Sequence, residues 1–315
     1  MNFKPTIFFT VLFLIGGGII GYAQPTQYDI MQSISKAQVL DSAHLRITYS
    51  LLYISDSLKP EQIWEDRKIL LIGDTIQHFY SDYQRHADSA ATALWIKGKS
   101  AMHPKFSTNV KREGYDIYTY PVSETRMVLD YITYLSLYKY VEDIEKPQWI
   151  LSEDTCTILS YTCQKAITHF RGREWTVWFT MEIPTDAGPW KLCGLPGIIV
   201  KASDSREHYF FECIGLENIS KKKQPIIKYQ GTAGDLIECT RKEYLKAQQR
   251  FYDNYVMSLL SMGWNVNLWD DSGKIIDIIE TPNTKFSERN IRWGMSIAAR
   301  DRNKQKYSYN PIELE

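Results

Sequence analysis

The feature that most constrains the fold is a succession of short segments in which apolar and polar residues alternate. Between Ala43 and Tyr53, every second residue is large and apolar, whereas the residues between them are mostly polar. A period of two residues is typical of a strand with one buried face. Similar runs follow one another closely, a spacing that favours an antiparallel meander over βαβ units. The sequence therefore predicts a mainly β protein with some helix (α+β), built on a curved antiparallel meander or half-barrel sheet with a C-terminal helical region.

Two hairpins are the clearest local predictions. The first joins Ile158–Phe170 to Glu174–Met181 through the turn Arg171-Gly172-Arg173, and the second joins Ile198–Ala202 to His208–Ile214. Both pairs have strand-forming residues on each side of a short polar turn, which is the usual pattern of a hairpin.

After Ile219 the strand-like pattern of the mature chain gives way to helical and irregular sequence. Thr240–Leu260 carries apolar residues at helical spacing, and Thr240 with Glu243 forms a capping-box pattern at its start. We therefore expect a β-rich domain over residues 24–219. Residues 220–315 are expected to form a helical and irregular region that packs on it and ends in a poorly ordered tail.

The N-terminus resembles an export signal. Lys4 precedes an apolar run from Ile7 to Gly21, and small residues stand at the −3 and −1 positions before a cleavage site after Ala23. An uncleaved anchor helix is the alternative, but three consecutive glycines within the run disfavour it. We predict a signal peptide over residues 1–23, a periplasmic or secreted mature protein, and no later membrane span.

Charge and composition narrow the function classes. Lys plus Arg equals Asp plus Glu at 37 each, so no net charge attracts nucleic acid. Aromatic residues make up 13% of the chain, which favours strands with large, half-buried faces.

Five cysteines leave two interpretations open. They are Cys156, Cys163, Cys193, Cys213 and Cys239. None lies in a CxxC pair, so a structural zinc site is not expected. In an oxidising compartment the thiols could pair, with at least one left over. We favour the interpretation that they are small buried side chains.

No motif identifies catalytic chemistry. The six histidines are scattered without a metal-ligand pair, and neither a GxSxG elbow nor a phosphate-binding glycine loop is present. We therefore predict no catalytic residues, no metal and no cofactor. A dispersed triad stays open, since triads are recognised by geometry rather than by spacing.

The stretch from Asp186 to Ile199 is the most specific part of the sequence. Leu195-Pro196-Gly197-Ile198 is predicted to form a type II turn, with the positive φ at Gly197. Gly188-Pro189-Trp190 predicts a second turn. Either these turns connect strands while Trp190 fills the core, or they present Trp190 and Leu195 to a partner; we favour the first.

Gly194-Leu195-Pro196-Gly197-Ile198-Ile199 resembles the signature of the GLPGLI family, with isoleucine in place of leucine at the fifth position. Further stretches are similar to the same family: Tyr161–Ala166, Phe170–Arg173, Trp178–Thr180, Ile183-Pro184, Gly188–Lys191 and Asn310–Glu315. The resemblance runs from about Leu45 to the C-terminus. It implies an exported β-rich protein of a Gram-negative lineage, with no assigned activity and no catalytic residues to carry over.

The candidate ligand- or partner-binding residues are Arg171, Arg173, Trp178, Trp190, Leu195 and Pro196, and the candidate structural turn residues are Gly172, Gly188, Pro189, Gly194 and Gly197. The two arginines can bind a carboxylate or phosphate, lie in solvent, or pair with Glu174 and Asp186, and we favour the pairing. Three functions follow in order of preference. They are a non-catalytic carrier of an apolar or lipid-like ligand in the cell envelope, an interaction module of an envelope protein complex, and a hydrolase with a dispersed site.

Overall fold

A computed structural model describes residues 38–86, 114–133, 136–228, 235–254, 266–269, 275–279, 295–298 and 309–314. Strands dominate this part of the chain. They are β1 Val39–Ala43, β2 Leu45–Ile54, β3 Ile63–Ile72, β4 Gln77–Ser81, β5 Asp116–Tyr120, β6 Thr125–Thr133, β7 Ser136–Asp143, β8 Ile150–Ile158, β9 Tyr161–Phe170, β10 Arg173–Thr180, β11 Ile198–Asp204, β12 Tyr209–Asn218, β13 Gln224–Ile227, β14 Asp235–Glu238, β15 Val266–Trp269, β16 Ile275–Ile279 and β17 Met295–Ala298. Helix α1 spans Arg241–Asp253, a 3₁₀ turn covers Ser220–Lys222, and residues 82–86 are helical. The prediction of a mainly β protein is confirmed.

The largest sheet contains twelve strands in the order β14-β7-β6-β5-β4-β3-β2-β12-β11-β10-β9-β8. Strands β2 to β7 form one meander, in which neighbours in sequence are neighbours in the sheet, and β8 to β12 form a second. The two meanders join where β2 pairs with β12. All pairs in this sheet are antiparallel except β14 with β7. Separately, β1 pairs with β13, and β15 lies between β16 and β17.

The short connection between β7 and β8 shows that the large sheet bends. These strands lie ten positions apart in the sheet order, yet only the residues between Asp143 and Ile150 connect them. In a flat sheet, ten strand spacings would separate them by about 48 Å. Seven extended Cα steps cover at most about 25 Å. The two ends of the sheet therefore approach one another.

Apolar side chains form two cores on opposite faces of β3 to β7. Along β3, Leu70 and Ile72 contribute to the main core, whereas Ile69 and Leu71 contribute to a second core. The second core also takes in Ile226 of β13, so the small β1–β13 sheet covers this face. The main core contains aromatic residues of the second meander, such as Trp175 and Phe211. Burial on both faces explains why the apolar pattern of β3 is continuous rather than alternating.

Both predicted hairpins are present, as β9–β10 and β11–β12. The first strand of the β9–β10 hairpin begins later than predicted: β9 starts at Tyr161, and Ile158 is the last residue of β8. Helix α1 begins where expected, because the Thr240 hydroxyl accepts from the Glu243 amide and the Glu243 carboxylate accepts from the Thr240 amide. The expected continuation to Leu260 and the predicted signal peptide both lie outside the described residues. Within the described ranges, no helix is long and apolar enough to cross a membrane.

The predicted type II turn at Gly197 is wrong. Gly197 does not have a positive φ, whereas Gly194 does, at 91°. Gly197 is required for another reason: a Cβ atom there would lie 2.0 Å from the carbonyl oxygen of Thr180. The loop from Asp186 to Ile198 thus packs its backbone directly against the end of β10. The glycine is needed because of this close approach.

Candidate functional site

Residues 309–314, here called the C-terminal segment, lie against the large sheet. Tyr309 bridges to Asp56, and the Asn310 amide donates to the Ser55 carbonyl at 3.1 Å. The Asn310 side chain donates to the Ile54 carbonyl at 2.6 Å, and the backbone carbonyl of Asn310 accepts from the Tyr209 hydroxyl at 2.7 Å. The segment is therefore bound at the junction of β2 and β12, which its sequence position does not reveal.

Arg173 fixes the middle of the C-terminal segment. Its side chain is fully buried and forms an ion pair with Asp204 at 2.6 Å. The guanidinium also donates to the Asn310 side-chain oxygen at 2.7 Å and to the carbonyls of Pro311 and Ile312 at 2.5 and 3.0 Å. A buried charge is stable only when it is paired and hydrogen-bonded, and these contacts satisfy both conditions.

Lys191 is the centre of a second group of buried charges, here called the Lys191 cluster: Lys191, Glu142, Glu313, Arg171 and Arg241. The Lys191 ammonium, 1% exposed, contacts Glu142 at 2.6 Å and also pairs with Glu313. Arg241 of α1 pairs with Glu313 at 2.7 Å, and Arg171 contacts Glu142 at 3.4 Å. The cluster therefore joins β7, the Asp186–Ile198 loop, α1 and the C-terminal segment.

The electrostatics of the cluster favour a charged Glu313. Burial alone would raise the pKa of this carboxyl group, but Lys191 and Arg241 outweigh that effect and hold the pKa below its ordinary value. Burial and the nearby carboxylates raise the pKa of Tyr140, which accepts a hydrogen bond from Lys191 at 3.2 Å. Each charged side chain of the cluster lies within 4 Å of one of opposite sign, so the cluster is suited to holding the chain together.

A pH dependence follows from this geometry. The pKa of Glu313 is lower in the folded than in the unfolded protein. The ionised carboxylate therefore contributes fully to the free energy of unfolding at pH values above the unfolded pKa. The contribution is lost as the pH falls through the folded pKa. The difference in unfolding free energy between the wild type and Glu313→Gln should therefore be largest at neutral pH and shrink in acid. Urea unfolding from pH 7 to 3 measures it, and a difference independent of pH would contradict the assignment.

A surface groove of about 720 Å³ lies over the second meander. One wall is residues 156–159, where β8 turns into β9. Trp178 of β10, Lys201 of β11 and the end of β12 at residues 212–214 form the remainder. Trp178 is half-buried, and Lys201 approaches Glu212 at 3.9 Å. The groove thus combines an aromatic ring and aliphatic side chains with one pair of opposite charges.

The turn that forms the groove wall is strained. Leu159 and Ser160 both have positive φ angles, 49° and 73°, in a two-residue turn between β8 and β9. Such turns favour Asn-Gly, because side chains other than Asn, Asp or Gly are disfavoured in this conformation. Leu159 is nevertheless 45% exposed at the groove. Strain held in place by its surroundings is frequent at binding sites.

The double variant Leu159→Asn, Ser160→Gly should therefore stabilise the protein by about 1–2 kcal/mol, because each residue relieves a left-handed conformation. The double variant should also weaken the binding of any ligand that contacts the Leu159 side chain. Chemical denaturation measures the first effect. Unchanged or lower stability would show that the turn is not strained as described.

The remaining predicted site residues occupy different places. Trp190 and Leu195 are 4% and 3% exposed and pack in the main core, so the loop does not present them to a partner. Pro196 is exposed beside them. Arg171 and Arg173 are paired, as favoured, but with Glu142, Glu145 and Asp204 rather than with Glu174 and Asp186.

The candidate turn residues have separate structural roles. Arg171 and Gly172 form the β9–β10 turn with positive φ angles of 52° and 74°. Gly188 and Pro189 are buried, and a Cβ atom on Gly188 would lie 2.7 Å from the Leu192 carbonyl oxygen. Gly194 packs beside Lys146 and Trp149, which belong to the connection between the two meanders.

Sequence reasoning did not identify Lys191, Glu142, Glu313 and Asp204 as a set. Their only sequence signal is that Lys191 and Glu313 fall within stretches for which the resemblance to the GLPGLI family is predicted. Among the histidines, His78 is buried, contacts Asp116 at 2.8 Å and stacks on the rings of Tyr80 and Tyr118. In the ranges that the structure covers, no group of three or more His, Cys, Asp or Glu residues is arranged to hold a metal ion.

Two solved structures that resemble the chain carry the titles "Structure of PNGF-II in P21 space group" and "Structure of PNGF-II in C2 space group". The first is 13% identical with a TM-score of 0.45, over 67% of this chain and 33% of that one. The second is 12% identical with a TM-score of 0.43, over 65% and 32%. The chain thus spans about a third of the length of these structures.

No curated protein sequence matches the chain. A sequence model of one protein family, described as "N-glycanase peptide, N-terminal domain", matches residues 74–232. The matched part runs from the loop between β3 and β4 to the segment after β13, and it includes Arg171, Arg173 and Lys191. Because it covers 159 of the 315 residues, the protein belongs to this N-terminal domain family of the N-glycanases.

Proposed function

We propose that the protein is a non-catalytic binding protein of the cell envelope that carries an apolar or lipid-like ligand in the surface groove. The groove itself is the observation that carries this proposal. Its volume of about 720 Å³ is within the range of about 300–1,000 Å³ that small-molecule sites occupy. Trp178, Leu159 and Ile214 supply apolar surface, and Ile214 is 53% exposed.

The polar residues of the groove suit a ligand with one charged or hydrogen-bonding end. Lys201 and Glu212 are 33% and 46% exposed, and their 3.9 Å separation is a weak contact. A ligand group can therefore engage either side chain without breaking a strong pair. This lining favours a ligand whose apolar body lies over Trp178 and whose polar end lies at Lys201.

We also propose that the large sheet curls into a half-barrel and that the region around α1 covers its open side. The bend required by the β7–β8 connection supports this arrangement, as do the contacts of Tyr244 in α1 with Tyr138 and Tyr140 of β7. The proposal also places the mature protein in the periplasm or outside the cell, after cleavage of the signal peptide. The resemblance to the exported GLPGLI family supports that location.

Hydrolysis is the second candidate function, and the family supports it, because its description names N-glycanases. The groove offers one carboxylate, Glu212, and one amine, Lys201. Release of glycan from an N-glycosylated peptide by the purified chain would favour hydrolysis over carriage. Loss of that release in Glu212→Gln would assign the hydrolysis to the groove.

The interaction-module hypothesis is weaker, because Trp190 and Leu195 are buried.

The carrier proposal predicts a bound molecule that depends on Trp178. Native mass spectrometry of the protein from its own compartment should show a reproducible small-molecule adduct that is lost on denaturation. In Trp178→Ala the adduct should fall at least tenfold, because the variant loses the apolar area of the ring together with about 0.5–1.5 kcal/mol of aromatic contact.

Trp64→Ala is the matched control, since Trp64 is also half-buried against the main core but does not line the groove. Equal loss of the adduct in both variants would indicate general destabilisation. A wild-type protein that carries no adduct would contradict the carrier proposal for tightly bound ligands.

A further inference from the structure

Cys156 and Cys163 lie directly opposite each other in the β8–β9 hairpin. Opposed residues of antiparallel strands point to the same face, with Cβ atoms about 4.5–5.5 Å apart. Their Cα atoms are about 4.5 or 5.5 Å apart, depending on the hydrogen-bonding position. Disulfides join cysteines whose Cα atoms are about 4.4–6.8 Å apart. The register of the hairpin therefore brings these two thiols within bonding reach without a change of pairing.

We propose that Cys156 and Cys163 form a cross-strand disulfide that fixes the β8–β9 hairpin. The oxidant is the disulfide of an exported thiol–disulfide oxidoreductase, the class of protein that introduces such bonds in oxidising compartments. The Cys156 thiolate attacks this disulfide, forms a mixed disulfide and releases one thiol of the oxidant. The Cys163 thiolate then attacks the Cys156 sulfur and releases the second thiol. Two cysteine thiols lose their hydrogens, and the oxidant becomes a dithiol.

The exposure of the two residues suits this order of attack. Cys156 is partly exposed and lines the groove, so an external disulfide can reach its sulfur. Cys163 is buried, which shields it from the oxidant but not from its strand partner. The buried thiol is therefore the one that closes the bond from inside the hairpin.

The other three cysteines lack an opposed thiol. Cys213 lies opposite Tyr49 in the β2–β12 pair, not opposite another cysteine. Cys193 lies in the Asp186–Ile198 loop, where its sulfur accepts a hydrogen bond from Arg126 at 3.0 Å. Cys239 precedes α1 and contacts the Lys139 carbonyl. Among the described strand pairs, the β8–β9 pair is the one that opposes two cysteines.

The strained turn gives the crosslink a structural role. Leu159 and Ser160 connect the two strands in left-handed conformations, and the disulfide would lie three residues before Leu159 and three after Ser160. A covalent link at that distance prevents the strands from separating to relieve the strain. The disulfide would also stabilise the fold by lowering the conformational entropy of the unfolded chain.

The test is a count of free thiols in the full chain exported to an oxidising periplasm and purified without reductant. After denaturation and alkylation, intact mass should show three alkyl groups, because two of the five cysteines are crosslinked. Reduction before alkylation should raise the count to five. Peptide mapping should recover a linked pair that contains Cys156 and Cys163.

Two serine variants make the assignment specific. Cys156→Ser should carry four alkyl groups without reduction, whereas Cys239→Ser, the matched control, should carry two before reduction and four after it. Five alkyl groups in the unreduced wild type would overturn the proposal, as would a mapped link between Cys163 and Cys213. The count does not depend on a bound ligand, so it is independent of the carrier proposal.

Discussion

Substitution of Lys191 by methionine should lower the free energy of unfolding by about 3–5 kcal/mol, the cost of removing one partner from a buried ion pair. The ammonium group, 1% exposed, lies between Glu142 and Glu313, and both carboxylates are also almost fully buried. Methionine keeps the length and most of the volume of the side chain but removes its charge. The loss therefore reflects two buried carboxylates left with only Arg171 and Arg241 as partners, rather than a cavity. Urea unfolding at neutral pH measures it.

Lys139→Met is the matched control, because Lys139 forms an ion pair with Glu238 at 2.7 Å in which both side chains are partly exposed. It should change stability very little, since surface ion pairs are screened by water. Lys191→Met should also release the C-terminal segment and speed hydrogen exchange of the Leu314 amide, which donates to the Arg171 carbonyl at 3.1 Å. Equal effects of the two lysine variants would show that the Lys191 cluster does not hold the fold together.

The variant Gly197→Ala should destabilise the protein by about 3 kcal/mol or more. The added methyl group would lie 2.0 Å from the Thr180 carbonyl oxygen and 2.9 Å from the Cα atom of Met181. Both are backbone atoms, which cannot rotate away as a side chain can. The Asp186–Ile198 loop must therefore move away from β10, and the packing of Trp190 and Leu195 in the main core is lost with it. Thermal and chemical unfolding measure the effect.

Gly215→Ala serves as the control for Gly197→Ala. A Cβ atom there would meet Thr48 at 3.6 Å, an ordinary contact, so the change should stay within about 1 kcal/mol. If Gly197→Ala proved as mild as Gly215→Ala, the close approach between the loop and β10 would be incorrect.

The sequence predicts strands well where one face is buried and the other is solvated. Strand β10 shows this alternation over most of its length, and its hairpin with β9 is found as expected. Strand β8 is not predicted from the sequence, because most of its residues, including Glu153 and Asp154, are exposed on both faces. Such an edge strand has no apolar period to detect. Strand β5 alternates poorly for the opposite reason, since Ile117 and Tyr118 are buried in different cores.

The candidate site was predictable only in part. The pairing of Arg171 and Arg173 follows from their chemistry, but the partners chosen from nearby sequence were wrong. Their carboxylates come from β7 with its following loop and from the end of β11, which only the folded sheet brings close. The groove has the same origin, because Trp178, Lys201 and Glu212 become neighbours through strand register. Register depends on the whole sheet, so local sequence does not contain it.

The division of the large sheet into two meanders has a consequence for folding kinetics. Within each meander, strands pair with their neighbours in the chain, so short loops close first. The junction is different: Leu51 of β2 pairs with Phe211 of β12, and the two are 160 residues apart. Closing that long loop joins two partly formed sheets and completes the main core. The rate-limiting step of folding is therefore expected at the β2–β12 junction, where a mutation would slow folding more than one within either meander.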